Sequence, residues 1–121
     1  MTDRIASNSG VLIIKTMCPS DDEARHIAQL LLKQKLIAAG QISERESMYW
    51  WDGAQHHRQE WELSCVTQGS LYPAAQELII ANHSYQVPEV IGIPVVAVSE
   101  SWAEWVQEYA VGASAASGPA E

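Results

Sequence analysis

An imidazole, a phenol and a carboxylate fall within the short stretch Asn82-His83-Ser84-Tyr85-Gln86-Val87-Pro88-Glu89. Together His83, Tyr85 and Glu89 could ligate a metal ion, donate a hydrogen bond to a ligand or move a proton. The stretch lies where a helical pattern gives way to the apolar run Val90 to Val98, and side chains at such junctions commonly carry function. Pro88 removes a backbone donor and holds Val87 extended, so the connection is stiff enough to aim those side chains. A second carboxylate pair, Glu60 and Glu62, alternates with Trp61, Leu63 and Cys65, which puts both acids on one strand face. That face reads either as plain solvated surface or as part of a cation or ligand site completed by another segment.

Other reactive residues carry less. Cys18 and Cys65 are far apart and form no C-x-x-C pair, so both read as reduced thiols. His56 and His57 are adjacent on a strand and point to opposite faces, so one metal ion cannot hold both, and His26 reads as a surface residue in mid-helix. Nucleophilic catalysis would need Cys18 or Cys65 beside a base, and nothing in the spacing places His83 or Glu89 there. No phosphate loop, zinc-protease helix or paired-acid signature is present, and the chain reads as non-enzymatic.

The elements that position these residues follow from periodicity. Val11-Leu12-Ile13-Ile14-Lys15-Thr16-Met17 is a continuous apolar run, the pattern of a central strand buried on both faces. Ser20 three residues before Glu23 forms a capping box for a helix whose inner face is Ala24, Ile27, Ala28 and Leu31. Ile42 to Trp51 and His57 to Val66 form a hairpin turning at Asp52-Gly53, a dipeptide suited to positive φ. A second helix begins at Ser70 with Pro73 in its first turn and Leu71, Ala74, Ala75, Leu78 and Ile79 inward. Pro94 marks the following strand as an edge or a bulge. A capping box at Ser101 and Glu104 opens a last helix with Trp102, Trp105, Val106 and Tyr109 as a packing stripe. The expected fold class is α+β, a ferredoxin-like β-α-β-β-α-β sandwich on an antiparallel sheet with an extra C-terminal helix. Both main helices then cover one sheet face. The hairpin's Tyr49, Trp50 and Trp61 are left as interface residues of a homo-oligomer.

The chain has 121 residues, 47% hydrophobic and 18% charged, which fits a single globular domain. Residues 1–10 read as a flexible lead, 11–111 as the domain and 112–121 as a disordered tail. A net charge of −8 gives no basic stripe for nucleic acid and makes cations the natural partners. No signal peptide or membrane span is apparent, which places the chain in the cytoplasm by default.

Four segments, His83-Ser84-Tyr85-Gln86-Val87-Pro88-Glu89, Tyr49-Trp50-Trp51-Asp52-Gly53, Lys35-Leu36-Ile37-Ala38-Ala39 and Glu60-Trp61-Glu62, resemble motifs of the CutA family of divalent-cation tolerance proteins, in the family's order. The resemblance covers roughly Val11 to Tyr109. It implies a homotrimer related in architecture to the PII signalling proteins, acting in tolerance of or response to divalent ions, with inter-subunit clefts lined by the His83 loop and the hairpin. In this chain the cleft residues would be Tyr85, Pro88, Glu60, Glu62 and Trp51, with Tyr49, Trp50 and Trp61 at the trimer interface. Family copper binding maps onto Thr16, Asn82 and His83, of which only His83 is a good ligand; Cys18, two residues further on, could share a face with Thr16, and Ala39 stands where a Cys is frequent. The metal set is then His83, Cys18 and Glu89, for a divalent ion, copper or zinc, that is not an obligatory cofactor. The alternative is a PII-like regulatory trimer that holds a small molecule in the same cleft.

Overall fold

The computed structural model describes residues 5–7 and 9–112. In chain order the elements are β1 (Ile5–Ser7), β2 (Val11–Cys18), α1 (Asp21–Lys33), β3 (Ala39–Trp51), β4 (Ala54–Gln68), α2 (Tyr72–Ala81), β5 (Val90–Pro94), β6 (Ala97–Ser99) and α3 (Glu100–Tyr109), with a 3₁₀ turn at Gly69–Leu71 before α2. The apolar run of β2 sits centrally, hydrogen-bonded antiparallel to β4 on one side and β5 on the other. The sheet order is β3-β4-β2-β5, so the fold is the α+β, ferredoxin-like arrangement that the element order implies, with α3 appended.

Alternation along β2 and β4 creates two faces. Ile14, Cys18, Leu63 and Cys65 are buried against Ala24, Ile27, Ala28 and Leu31 of α1 and against Ala75 and Ile79 of α2. On the other face Val11 packs with Ala103, Val106 and Ala110, so α3 covers only one end of the sheet. α1 starts where expected: Ser20 Oγ accepts from the Glu23 amide at 3.1 Å. The hairpin is longer at both ends than its apolar pattern suggests, pairing from Ala39 with Val66 to Trp51 with Ala54. Asp52 and Gly53 have φ of 52° and 77°, two consecutive left-handed residues that match the right-handed twist of the strands.

Five expectations are corrected. Ile5–Ser7, expected within a flexible lead, form β1 and pair with β6 in the register Ile5 to Ser99. The run Val90 to Val98 divides into β5 and β6: β5 is an edge strand as Pro94 implies, pairing with β2 runs out at Val11, whose carbonyl still accepts from the Val95 amide at 3.1 Å, and the detached β6 takes its hydrogen bonds from β1. The second helix begins at Tyr72 rather than Ser70, the 3₁₀ turn taking its first residues, and Ala74 faces solvent. α3 begins at Glu100, not after Ser101: Ser99 is fixed extended by its pairing with Ile5, at ψ 146°, and serves as N-cap without a side-chain bond. The stripe on α3 packs only in part: Val106 is buried, while Trp102 and Tyr109 stay 44% and 47% exposed with their rings tilted against that of Trp105. The expected tail from 113 onward lies outside the described residues.

One core position invites a test. Thr16 is 1% exposed, and its Oγ1 has no hydrogen-bond partner among the described residues. Thr16→Val keeps the shape and removes an unsatisfied hydroxyl, so it should raise stability by about 1 kcal/mol in denaturant unfolding at fixed protein concentration. A loss of stability would mean that the hydroxyl is bonded in solution.

Candidate metal centre and sheet-face cleft

Antiparallel pairing of Thr16 with Val90 lays the segment before β5 against the end of β2 and the first turn of α1. Cys18, Glu23 and His83 therefore converge, each offering a ligand atom, all within 4.8 Å of one another. Cys18 Sγ is 3.9 Å from His83 Nε2. Glu23 Oε2 is 3.4 Å from Nδ1 of His83, whose side chain is 0% exposed. The ring's partners define its protonation pattern: Nε2 lies 2.8 Å from the Met17 carbonyl and must donate, while Nδ1 accepts from the Tyr85 amide at 3.2 Å. In the tautomer that carries its proton on Nε2, both ring nitrogens of His83 are engaged. Glu23 Oε2 in turn accepts from the Ser84 amide at 3.0 Å. The glutamate of the capping box is turned toward the loop.

Burial, reinforced by the charges of Glu23 and Glu60, pushes the Cys18 thiol up to about 12. At neutral pH it is a thiol, neither an activated nucleophile nor a ready ligand. A cation binding here has to displace the thiol proton and one of the bonds of His83. The donor set itself, thiolate, imidazole and carboxylate, is the one that zinc and copper prefer.

The open sheet face between the hairpin and the His83 loop forms a cleft of about 1100 Å³. Tyr85, Glu60, Glu62, Trp51, Tyr49, Trp50 and Glu89 line it, along with Lys15, Arg45 and Arg58; Pro88 is not among the lining residues. Glu60 is 6% exposed, so its carboxylate is not plain solvated surface. Tyr85 Oη donates to Glu60 Oε2 at 2.5 Å. Burial, then the bond to Glu60 and its charge, pushes the Tyr85 phenol well above its ordinary value despite the opposing Arg58 guanidinium, so Tyr85 remains a donor. Lys15 bridges Glu62 at 3.8 Å and Glu89 at 3.5 Å, and Arg45 reaches Glu62 at 3.2 Å.

The expected metal set therefore divides: Cys18 and His83 adjoin, Glu23 completes the group, and Glu89 pairs with Lys15 in the cleft. Trp61, expected at an interface, shares the pleat face of Leu63 and packs against the helix-side core. His57 pairs with Glu46 at 3.2 Å, and His56 stacks on Tyr49 at 5.6 Å, so the two histidines are not brought together. His26 is exposed. Glu23 escaped sequence reasoning because its capping role accounted for it. The signal available was topological, since the start of α1 and the loop before β5 meet at the same end of β2 in this strand order.

The chain is similar throughout to one set of proteins. The family model for the CutA1 divalent ion tolerance protein matches residues 12–109. The divalent-cation tolerance protein CutA of Pyrococcus horikoshii is 32% identical over 98 residues, spanning 81% of this chain and 96% of its own. The crystal structure of CutA1 from the psychrotrophic bacterium Shewanella sp. SIB1 superposes with a TM-score of 0.81 at 33% identity, over 85% of this chain and 97% of that one. The structure of the periplasmic divalent cation tolerance protein CutA of Archaeoglobus fulgidus gives 0.81 at 28% identity, over 83% and 98%. With a matched strand order, a matched length and a family pattern running from β2 through α3, the chain belongs to the CutA1 divalent ion tolerance family.

Proposed function

We propose that this protein is a non-enzymatic homotrimer of the cytoplasm that takes part in the response to divalent metal ions, holding copper or zinc weakly at Cys18, Glu23 and His83. The observation that carries the reading is the convergence of those three donors within 4.8 Å around a fully buried imidazole. Weak binding follows from the protonated thiol and the occupied ring nitrogens, each of which sets a cost on metal entry. Trimer formation is supported by Met48 and Trp50, 73% and 70% exposed on the hairpin, and by the outer edge of β3, which pairs with no other strand among the described residues. The two buried free thiols suit a reducing compartment.

The test is a competition titration of the full chain with zinc against a chromogenic chelator, run beside light scattering. Zinc should bind near one per subunit of a trimer, and His83→Ala should weaken it by more than about tenfold, or about 1.4 kcal/mol, without dissociating the assembly. Equal affinity in His83→Ala would remove His83 as a ligand. The second reading, a PII-like regulatory trimer, rests on the cleft, which pairs the buried Glu60 and its Tyr85 donor with the Arg58 and Lys15 cations around a volume sufficient for a small molecule.

A further inference from the structure

The groups that would hold the metal are the same groups that hold the cleft loop. Two consecutive backbone amides, Ser84 and Tyr85, donate to Glu23 Oε2 and His83 Nδ1 at 3.0 and 3.2 Å. Beyond them the Tyr85 phenol reaches across to Glu60 on β4, and Ser84, Tyr85, Gln86, Val87 and Glu89 form one wall of the cleft. We infer that metal binding at His83 and the closed, Tyr85–Glu60-latched position of this loop are mutually antagonistic, so that a divalent cation releases the cleft wall. This rests on the reading of His83 as a metal ligand.

A neutral imidazole has one protonated nitrogen and one lone pair. If the metal takes Nδ1, it displaces the Tyr85 amide directly. If it takes Nε2, the bond to Met17 O is lost and the ring proton must move to Nδ1. Nδ1 then becomes a donor, pointed at Glu23 Oε2, 3.4 Å away, in the carboxylate–histidine–metal arrangement that orients such ligands. The Tyr85 amide then faces a second donor where it had an acceptor. Both routes leave that amide unpaired, and both draw Glu23 away from the Ser84 amide or make it shared. The thiol proton of Cys18 leaves to solvent when its sulfur coordinates, and no electron transfer is involved.

With its backbone anchors gone, the loop keeps the far end of Tyr85, the Arg58 guanidinium 5.6 Å over the Tyr85 ring and the Glu89–Lys15 pair, and the Tyr85 ring lies tilted 5.1 Å from that of His83. A bond of 2.5 Å to a buried carboxylate has little tolerance for a shift of the ring that carries it. Latch and metal thus compete through a few named atoms. By linkage, anything that weakens the latch strengthens metal binding, and metal weakens the latch by the same factor.

Two measurements on the full-length assembly test this. Hydrogen–deuterium exchange of the peptide spanning 84–89 should speed up when zinc is added, although the metal binds beside it, and His83→Ala should show no such response. Tyr85→Phe, which deletes only the latch hydroxyl, should bind zinc about tenfold more tightly than the wild type, with Glu60→Gln shifting affinity the same way as a second variant. Slower or unchanged exchange at 84–89 together with wild-type zinc affinity in both variants would overturn the coupling and leave the metal site standing. Absence of zinc binding in every form would overturn both.

Discussion

Leu63→Ala is expected to cost about 3 kcal/mol of stability, the range seen for leucines truncated in rigid cores. Leu63 is 0% exposed at the centre of β4, opposite Thr16 of β2. It stands where the hairpin passes under the helix layer: a methyl built on Gly40 would touch Leu63 Cδ1 at 3.5 Å, Ile37 Cδ1 at 3.4 Å and the Ala28 methyl at 3.7 Å. Elements from both halves of the fold meet there, so no single segment can collapse into the space left. Leu63→Met, which keeps the volume, should cost less than about 1.5 kcal/mol. Denaturant unfolding at one protein concentration compares the three, since an oligomer's midpoint moves with concentration. An alanine variant as stable as the methionine variant would show that the sheet and helix layers are not packed against each other here.

Alkaline pH should destabilise the fold as it rises from about 9 to about 12. Burial pushes both the Cys18 and Cys65 thiols from an ordinary value near 9 up to about 12. Between those values the unfolded chain releases two protons that the folded chain keeps. The folded state binds more protons, so stability must fall as pH rises: full below about 9, and lost progressively up to about 12. The slope approaches about 1.4 kcal/mol per pH unit for each thiol. Tyr85, pushed upward in the same direction, adds to the loss at the alkaline end. Chemical denaturation at a series of pH values checks this, with Cys65→Ala expected to flatten the curve. A stability profile level between pH 8.5 and 11 would contradict the burial of these groups.

Local chemistry made much of the fold legible. Asp52-Gly53 needs two left-handed residues and specifies a tight hairpin by itself; Ser20 caps α1 through an amide three residues away; the apolar run of β2 announces a central strand, although its second face is covered only near Val11 and is open to the cleft at Lys15. What could not be read depends on tertiary contact. Ile5–Ser7 carry no alternation long enough to signal a strand, and they become one by pairing with β6, which lies beyond the reach of β2. Ser101 satisfies the capping pattern, yet the pairing of Ser99 decides where α3 begins.

The site follows the same division. His83, Tyr85 and Glu89 stand out as a compact group of chemical types, and Glu60 and Glu62 as an alternating pair. Their allegiances were not readable, because they depend on which strand end faces which loop. Glu89 goes to Lys15, while Glu23, a residue with a sufficient local role, goes to His83. The cations Lys15, Arg45 and Arg58, scattered over β2, β3 and β4, meet the acidic residues only after the sheet has formed. An overall charge of −8 thus hides a cleft in which acids and bases are interleaved.

Zinc K-edge absorption of the zinc-loaded assembly tests the metal centre most directly, because it identifies the atoms bound to the metal. Coordination by Cys18, Glu23 and His83 should give one sulfur near 2.3 Å together with nitrogen and oxygen neighbours near 2.0 to 2.1 Å, and loss of the sulfur shell in Cys18→Ser. A shell of nitrogen and oxygen alone in the wild type, unchanged in Cys18→Ser, would place the ion elsewhere and contradict the assignment of Cys18, Glu23 and His83 as its ligands.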